Sequence, residues 1–561
     1  MITDSAVRNS NRNRVIITSA LPYANGEIHL GHISSTYLPA DIFRRFLKLN
    51  GVEVYHLCAS DDFGTPVLIE TEKKRTKPEL YVKYWHDKDF DDFNSVGIVF
   101  DSFSQTSSET NRMFVQYVFN VLKKRRLVYE KEVVQYYCEK DLKFLPDRYV
   151  IGKCPYCGAE DQYSDLCEKC GRIPEKILDP RCAICGMPPV KKKTNHYFFK
   201  LSNFEDALEK WLKENKLLQQ DVKKYVLNWI VEGLQDWDIT RDISWGVNIP
   251  ITGNEKKDKV FYGWFDNHLC YISSLIELLG DINKAKEIWN TSKIYHFIGK
   301  DIVYHHYLFL PAIRMGINEE YKLPDLIPTR GHLMLQNNKI SKSRNWYIGL
   351  REFVNLFQAD YLRFYIASIC SYSQDDINFD WNDFEKKINN ELIANIGNFV
   401  NRTLTFIKKY FRNVIPNPNE YDEADRKSLA EIENIGNTVG GFILGNEIDK
   451  ALKNILSFSS RFNQYFQKKE PWKNPEQSAA TLFISINAVR SLSILLAPFI
   501  PFSVEEVWKQ MSLEGSIYEQ SWKTIGSILL KPGHRLGDIE PIFKKVDTDK
   551  IKEQENKLNN S

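Results

Sequence analysis

The hydrophobic pattern at the start of the chain alternates between strand-length and helix-length stretches. Residues 15–18 and 52–57 are short apolar runs, and residues 32–49 between them have the apolar spacing of a helix. A strand, a crossover helix and a parallel strand form the opening unit of a doubly wound sheet. We therefore predict an α/β fold with a parallel, Rossmann-like sheet, whose ligands bind at the carboxyl ends of the strands.

This pattern is interrupted once and later replaced. Residues 130–195 are rich in Cys, Gly and Pro and lack a helical stripe, which predicts a small metal-stapled insertion. The α/β pattern resumes at residue 196. From residue 386, apolar positions recur every three or four residues, which predicts a helical bundle up to residue 540. The charged residues 541–561 are predicted to be a frayed tail.

The composition is that of a soluble protein with several domains. The chain has 561 residues, of which 43% are hydrophobic and 26% charged, and its net charge is +2. Contact with a nucleic acid would therefore need local basic patches. The N-terminus lacks the apolar core of a signal peptide, and the apolar residues 491–503 are too short to span a bilayer. We predict a cytoplasmic protein without membrane association.

Cysteine spacing in the insertion predicts zinc. Two CxxC pairs stand nine residues apart and match a structural tetrahedral site with the ligands Cys154, Cys157, Cys167 and Cys170. A third pair, Cys182 and Cys185, needs two more ligands. Cys138 and Asp141 could complete a second zinc site, and the alternative is a pair of buried thiols.

A histidine motif follows the first predicted strand. In ALPYANGEIHLGH (residues 20–32), His29 and His32 flank Gly31 where a helix begins. Histidines donate hydrogen bonds to phosphate oxygens, glycine lets a flat base approach the backbone, and helix N-termini bind anions. For this motif alone, a capped helix with two surface histidines is an equally good interpretation.

A lysine motif lies about three hundred residues later. In KISKS (residues 339–343), Lys339 and Lys342 could neutralise the charge that develops on a leaving pyrophosphate. Alone, it is more commonly a solvated basic loop, but together the two motifs are far more specific. No GxxxxGK[ST] loop and no GxGxxG after a strand is present, so P-loop and dinucleotide-cofactor proteins lack support.

The two motifs resemble the HIGH and KMSKS signatures of class I aminoacyl-tRNA synthetases. ALPYANGEIHLGH, HFIGKDIVYHH (residues 296–306), KISKSRN and the cysteine insertion are similar to methionyl-tRNA synthetases in particular, over residues 15–541. The resemblance implies an enzyme that uses ATP to form methionyl-adenylate and pyrophosphate. It then transfers methionine to the 3′ end of tRNA(Met), for initiation and elongation of translation.

The resemblance also assigns residues to roles. The implied catalytic residues are His29, His32, Lys339 and Lys342. The implied ATP-binding residues are His29, Gly31, His32, Gly299, Asp301 and Lys342, with Mg²⁺ bound to the ATP. The implied methionine-binding residues are Ala20, Leu21, Tyr23, Asp61, Trp264, Tyr271, Ile302 and His306. The implied anticodon-binding residues are Asn398, Arg402 and Trp472, although for Trp472 alone a core anchor would be favoured.

The sequence departs from the family pattern close to the amino-acid pocket. Asn267 and His268 stand where the family usually has Ala-Pro after Trp-Phe-Asp, and Phe63 replaces a usual His. KISKS in place of KMSKS is a mild change. We predict that Asn267 and His268 point outward; the alternative is an altered pocket.

The predicted domains follow from this resemblance. They are the two halves of the catalytic domain (1–129 and 196–330), the zinc-binding insertion (130–195), the KISKS loop and stem-contact region (331–385), the helical anticodon-binding domain (386–540) and the tail (541–561). Many relatives continue into a tRNA-binding, dimer-forming domain that is absent here, so we expect a monomer, with a separate tRNA-binding protein as a further partner. Preference for initiator or elongator tRNA stays open.

Three other classes of protein compete with this interpretation. Sister synthetases for leucine, isoleucine and valine carry large editing insertions, and a cysteine-specific enzyme has zinc in its catalytic pocket. A catalytically silent paralogue is disfavoured by the intact His29, His32 and Lys342, while the Asn-His pair keeps it open. A zinc-ribbon RNA-binding protein would leave the α/β part unexplained.

Overall fold

A five-stranded parallel sheet forms the centre of the catalytic region. The computed structural model describes residues 14–164, 167, 169–170, 172, 174, 176–250, 259–318, 320–342 and 345–559. From edge to edge, the strands of the sheet are Thr329–Arg330, Lys293–Gly299, Arg14–Ser19, Glu53–Ser60 and Ser102–Gln105. The first strand in the sequence lies in the middle, because it pairs in parallel with both Glu53–Ser60 and Lys293–Gly299.

The predicted strand–helix–strand unit is confirmed. Leu30–His32, a π-helical segment Ile33–Tyr37 and Leu38–Leu49 form one continuous helical stretch that crosses back over the sheet. Ile16 and Ile17 are both fully buried, because helices cover both faces of the sheet. The other helices of this region are Thr65–Lys74, Pro78–Ser95, Glu109–Lys124, Glu205–Glu214, Gln220–Glu232, Gly263–Leu279, Ile282–Thr291, the π-helix His305–Phe309 and Leu310–Gly316.

The cysteine-rich insertion is carried on two long strands, which form a four-stranded sheet with Trp237–Asp238 and Lys143–Phe144 at its edges. The long strands Val128–Cys138 and Val190–Phe199 pair antiparallel and lead away from the central sheet and back. The short strands between these two long strands are Lys143–Phe144, Val150–Lys153, Gln162–Tyr163 and Leu178–Cys182. A segment with so few apolar side chains has little core of its own, which is why metal ligands matter for its stability.

A small three-stranded sheet connects the two halves of the molecule. Leu333–Leu335 pairs antiparallel with Asn338–Lys339 and parallel with Ile377–Phe379. The hairpin turns at Gln336 and Asn337, whose φ angles of 49° and 62° place both in the left-handed region. Helices Leu350–Leu356 and Ala359–Ile369 follow the KISKS motif.

The C-terminal region is a helical bundle, as predicted. Its helices are Trp381–Lys386, the π-helix Lys387–Gly397, Asn398–Phe411, Glu423–Leu444, Ile448–Lys469, Ala479–Leu496, Pro501–Gln510 and Thr548–Asn559. Residues 475–496 would be long and apolar enough to cross a membrane, but every residue of the most apolar window is buried inside the bundle. This stretch is therefore the central core helix of the bundle.

The segment predicted to be a frayed tail differs from the prediction. Helix Thr548–Asn559 is docked on the bundle and on the hairpin before KISKS. Ile551 and Leu558 are buried, and Glu555 accepts hydrogen bonds from Gln336 at 3.2 Å and Asn382 at 2.7 Å. The high charge of this segment hid a narrow apolar stripe that is sufficient for docking.

The catalytic region and the bundle share buried contacts. Arg363 is fully buried and donates to Asp41 at 2.7 Å and to the carbonyl oxygens of Val96, Pro498 and Phe499. One continuous apolar cluster contains side chains from the central sheet, the KISKS-flanking helices and the bundle. The two regions are thus packed against each other and are not separate modules on a linker.

Candidate active site

A cavity of about 420 Å³ opens at the carboxyl ends of three neighbouring strands of the central sheet. These strands end at Ser19, Ser60 and Gly299, and the loops that follow each of them line the cavity. Fourteen of the residues predicted for catalysis, ATP or methionine lie in this wall: Ala20, Leu21, Tyr23, His29, Gly31, His32, Asp61, Trp264, Tyr271, Gly299, Asp301, Ile302, His306 and Lys342.

Backbone hydrogen bonds hold the first two loops together. The Ala24 N–H donates to the Asp61 carbonyl at 2.9 Å, and the Asp61 N–H donates to the Pro22 carbonyl at 2.7 Å. The Tyr37 hydroxyl donates to the Ala20 carbonyl at 2.6 Å. The walls of the cavity are therefore built by the main chain before any substrate binds.

The backbone sets the tautomers of His29 and His32. His29 Nδ1 accepts from the Gly31 N–H at 3.1 Å, and His32 Nδ1 accepts from the His29 N–H at 3.0 Å. In each neutral ring the proton must then be on Nε2. Burial and the nearby Lys342 lower the pKa of His29 to about 3, and burial lowers the pKa of His32 as well. Both rings are thus neutral donors at neutral pH, suited to phosphate oxygens.

The two signature motifs are in direct contact. The segment that follows KISKS pairs with the histidine motif: the Leu30 N–H donates to the Ile348 carbonyl at 3.1 Å, and the Leu350 N–H donates to the Ile28 carbonyl at 3.0 Å. A Cβ on Gly31 would lie 2.9 Å from the Ile340 side chain, so glycine allows this close packing. These contacts bring together two motifs that lie about three hundred residues apart in the sequence.

Lys342 reaches over the histidine motif. A Cβ added to Gly26 would lie 3.0 Å from Lys342 Nζ, so the ammonium group lies against the loop that carries the histidines. Burial lowers the pKa of Lys342, and the carboxylates of Asp89 and Glu27 act against this. Lys339, which was also predicted to be catalytic, is exposed on the strand Asn338–Lys339 and does not line the cavity.

Aromatic rings form an apolar slot at one end of the cavity. Trp264 stacks on His305 with ring centroids 3.9 Å apart. His306 Nδ1 lies 3.0 Å from the Ile302 carbonyl, so this nitrogen carries the proton and Nε2 accepts from the Tyr271 hydroxyl at 3.0 Å. The slot has neutral aromatic walls of the kind that suits a thioether side chain.

Asp61 lies beside this slot as a buried carboxyl group. It is 3% exposed, and its Oδ1 has no hydrogen-bond partner among the described residues. Burial raises the pKa of Asp61 to about 7, against the hydrogen bond from Asn267. A buried carboxylate oxygen without a partner is costly, so Oδ1 of Asp61 is well placed to face a cation.

The predicted outward orientation of Asn267 and His268 is wrong. Both side chains are buried, at 5% and 2% exposure, and both residues line the cavity. The helix Gly263–Leu279 is the reason, because residues three, four and seven positions after Trp264 share its face. Asn267 Nδ2 donates to Asp61 Oδ2 at 3.3 Å, and His268 Nδ1 donates to the Trp264 carbonyl at 2.9 Å. The other departure, Phe63, is buried with its ring against Trp245.

The opposite end of the cavity carries the GKD residues. A Cβ on Gly299 would lie 2.6 Å from Asp301 Oδ1, so a larger residue there would displace the Asp301 carboxylate. His332 Nε2 lies 3.1 Å from Asp301 Oδ1 and also lines the cavity. We did not predict His332, and no sequence signal marks it: it lies in a loop between two short strands. Asn25, Ser35 and Thr36 were missed too, although they stand beside the histidine motif.

The cysteines gather into the two predicted clusters. The ligand atoms of each group lie within 4.8 Å of one another, Cys154 with Cys157, Cys167 and Cys170, and Cys138 with Asp141, Cys182 and Cys185. In the first cluster, Sγ–Sγ distances of 3.6 and 3.8 Å match the edge of roughly 3.8 Å that a ZnS₄ tetrahedron requires. In the second, Asp141 Oδ2 lies 3.2 Å from the sulfurs of both Cys138 and Cys182. Both donor sets fit zinc.

The three residues predicted to read the anticodon lie on one side of the bundle. Asn398 and Arg402 are one turn apart on Asn398–Phe411, and Arg402 lies over the Trp472 ring at 5.4 Å. Asn398 Nδ2 donates to Asn463 at 3.0 Å and Arg402 donates to Gln467 at 3.4 Å, both on the helix Ile448–Lys469. Trp472 is partly exposed and also packs against the apolar core of the bundle, so its position is compatible with both roles.

Comparison with known proteins agrees with this arrangement. A family described as "tRNA synthetases class I (M)" matches residues 15–404, and the "Anticodon binding domain of methionyl tRNA ligase" matches residues 415–561. A methionine–tRNA ligase from Methanopyrus kandleri is 40% identical over 546 residues, which cover 95% of this chain and 80% of the relative. The chain belongs to the methionine–tRNA ligase family.

Other methionine–tRNA ligases show the same extent of similarity. The enzyme of Pyrococcus furiosus is 40% identical over 560 residues, covering 96% of this chain and 76% of the relative. A crystal structure of Mycobacterium tuberculosis methionyl-tRNA synthetase bound by methionyl-adenylate is 21% identical. It has a TM-score of 0.79 and covers 95% of this chain and all of that chain, so the fold is shared throughout.

Proposed function

We propose that this chain ligates methionine to tRNA(Met) in two steps. In the first, the methionine carboxylate attacks the α-phosphate of ATP, the bond to the bridging oxygen breaks, and pyrophosphate leaves. In the second, a ribose hydroxyl at the 3′ end of the tRNA attacks the methionyl carbonyl, and AMP leaves. Neither step needs a covalent enzyme intermediate, so catalysis rests on positioning and charge neutralisation.

The cavity residues divide into three roles. Asp61 binds the ammonium group of methionine, and Trp264 and Tyr271 enclose its side chain. His29 and His32 donate Nε2–H groups to ATP phosphates, and Lys342 neutralises the pyrophosphate as it leaves. Asp301 and His332 bind the adenosine end, and Mg²⁺ enters with ATP.

The observation that carries the proposal is the convergence of these groups on one cavity. Two neutral histidine donors, one lysine and one buried carboxyl group with a free oxygen all line the same cavity of about 420 Å³. Binding of a triphosphate requires the histidine donors and the lysine, and binding of an amino acid requires the carboxylate.

Amino-acid-dependent ATP–pyrophosphate exchange tests the proposal. The purified chain is assayed with all twenty standard amino acids, one at a time. Exchange with methionine alone is the expected result. Exchange with a different amino acid would move the chain to another specificity, and exchange with none, from folded protein, would leave a tRNA-binding paralogue.

The activation of methionine is expected to fall on the acid side of neutrality. Because burial raises the pKa of Asp61 to about 7, the free enzyme loses the carboxylate as the pH falls through 7. kcat/KM for methionine should then drop by about tenfold per pH unit below this value. The pKa of His29 is about 3 and that of His306 about 4, so these rings stay neutral in this range.

Exchange kinetics between pH 5.5 and 9 measure this acid limb. Asp61→Asn should lower kcat/KM for methionine and flatten the limb, because no ionisable group is left at that position. A limb that persists in Asp61→Asn would assign the titration to another group and contradict the prediction.

Arg402→Ala is expected to separate tRNA charging from methionine activation. Loss of the guanidinium that lies over Trp472 and Phe466 removes a cation and loosens a base-stacking platform. The KM for tRNA(Met) in aminoacylation should rise by about tenfold or more, with ATP–pyrophosphate exchange unchanged. Arg412→Ala, at the end of the same helix, is the matched control. An equal loss in both reactions would indicate a folding defect instead.

We also propose that each cysteine cluster holds one structural zinc ion. Cys154, Cys157, Cys167 and Cys170 supply four sulfurs, which leaves no open position for catalysis. Cys138, Asp141, Cys182 and Cys185 supply three sulfurs and one oxygen. The chain is further proposed to act as a cytoplasmic monomer, with a separate tRNA-binding protein as a partner.

A further inference from the structure

Asn267 is the side chain that holds Asp61. It projects from the second turn of the helix Gly263–Leu279, and its Nδ2 donates to Asp61 Oδ2 at 3.3 Å. Both side chains are almost completely buried. Among the described residues, Asn267 is the only side chain that donates a hydrogen bond to this carboxyl group.

The two carboxyl oxygens of Asp61 consequently have different hydrogen-bonding environments. Oδ2 is held by Asn267, whereas Oδ1 is buried and has no partner in the described part of the chain. A carboxyl group with one fixed and one free oxygen has a defined orientation toward an incoming cation. An Ala at position 267, as the family usually has, could not supply this hydrogen bond.

We propose that Asn267 is a positioning residue for substrate recognition, which favours the ionised form of Asp61 and orients it so that Oδ1 receives the α-ammonium group of the amino acid. This role rests on the proposed function, because it assumes that Asp61 binds the ammonium group. It explains why a polar residue is tolerated beside an apolar slot: its amide serves the carboxylate and not the substrate side chain.

The surroundings of Asp61 favour its neutral form, so the carboxylate needs a hydrogen-bond donor to stabilise it. Burial raises the pKa of Asp61, the Asn267 hydrogen bond lowers it, Asp62 raises it again, and the backbone N–H of Phe63 has a smaller lowering effect. Asp266, Tyr23 and Tyr271 are the other titratable groups that interact with Asp61, from the helix and from the loop after the first strand. None of these groups is cationic. Without Asn267, burial and Asp62 would act unopposed by any side chain, and the carboxylic acid form would persist to higher pH.

The test is the pH profile of methionine activation in variants of Asn267. Asn267→Leu keeps the volume and removes the donor, Asn267→Ala restores the usual family residue, and Asn267→Ser keeps a shorter donor. At pH 7, Leu and Ala should raise the KM for methionine about tenfold. They should also move the acid limb of kcat/KM about one pH unit higher. Ser should lie between them and wild type. The KM for ATP and kcat at saturating methionine should change less than twofold.

A structural role for Asn267 would give a different pattern. It would lower kcat/KM by the same factor at every pH and leave the acid limb in place, and this result would overturn the proposal, as would no change at all. Leu278→Ala, an exposed position on the same helix, is the control. If wild type shows no methionine-dependent exchange, the proposed function itself fails. If wild type is active and the limb does not move, only the role of Asn267 fails.

Discussion

Lys342→Ala should lower the rate of ATP–pyrophosphate exchange by about 10²- to 10³-fold. The ammonium group of Lys342 lies over the loop of His29 and His32, where charge develops on the leaving pyrophosphate. Removal of one such preorganised donor costs about 3–4 kcal/mol of transition-state stabilisation. The effect should appear in kcat, with the KM for methionine nearly unchanged, because the lysine acts at the phosphate end of the cavity.

Two lysine variants serve as comparisons for this result. Lys83→Ala removes an exposed surface lysine paired with Asp87 and should be silent. Lys339→Ala tests the second predicted lysine, which is exposed outside the cavity in this structure, and its effect should be smaller than that of Lys342→Ala. An equal loss in both would indicate that the KISKS loop closes over ATP and brings Lys339 to the phosphates. A fully active Lys342→Ala would rule out the assigned role.

Substitution of one cysteine in either cluster should lower the zinc content by one ion per chain. We expect two zinc ions per wild-type chain, and one in either Cys167→Ser or Cys182→Ser. Structural zinc contributes about 10–16 kcal/mol of binding free energy in small domains, far more than the few apolar side chains of the insertion. Elemental analysis of metal content after gel filtration gives the count, and limited proteolysis shows whether residues 139–189 have become accessible.

Substitutions in the second cluster test the less usual of the two zinc sites. Asp141→Ala leaves three sulfurs, so zinc should be retained more weakly and be lost to a mild chelator before the first ion is. Cys370→Ser, at a buried cysteine outside both clusters, should keep both ions. If Cys182→Ser still holds two ions, the Cys₃Asp site does not exist.

The sequence predicted those features that depend on local spacing. The strand–helix–strand unit around residues 15–57 follows from hydrophobic periodicity, and both cysteine clusters follow from CxxC turns, which place two sulfurs at ligand distance without any tertiary information. The motifs of residues 20–32 and 339–343 are predicted to act together, and the structure joins them through Ile340 and Lys342, which lie against Gly31 and Gly26.

The errors have identifiable physical causes. The outward orientation predicted for Asn267 and His268 rests on their polarity, which does not match an apolar thioether slot. Yet Trp264 and Tyr271, seven residues apart on one helix, already fixed the face on which both had to lie. His332 could not be found, because a loop residue reaches Asp301 only through the tertiary fold. The final helix was missed because Ile551 and Leu558 are too few to stand out among charged neighbours.

The apolar cluster shared by the sheet and the bundle has a mechanical consequence. Because Arg363 and its partners join the catalytic region and the bundle through fully buried groups, the two regions should unfold as a single cooperative unit. A fragment ending near residue 385 would expose a large hydrophobic surface and should aggregate. The distance between Arg402 and the cavity is then set by the protein alone. For a tRNA bound as proposed, with its anticodon at Arg402 and its 3′ end in the cavity, we therefore expect the adjustment to this fixed distance to occur in the RNA.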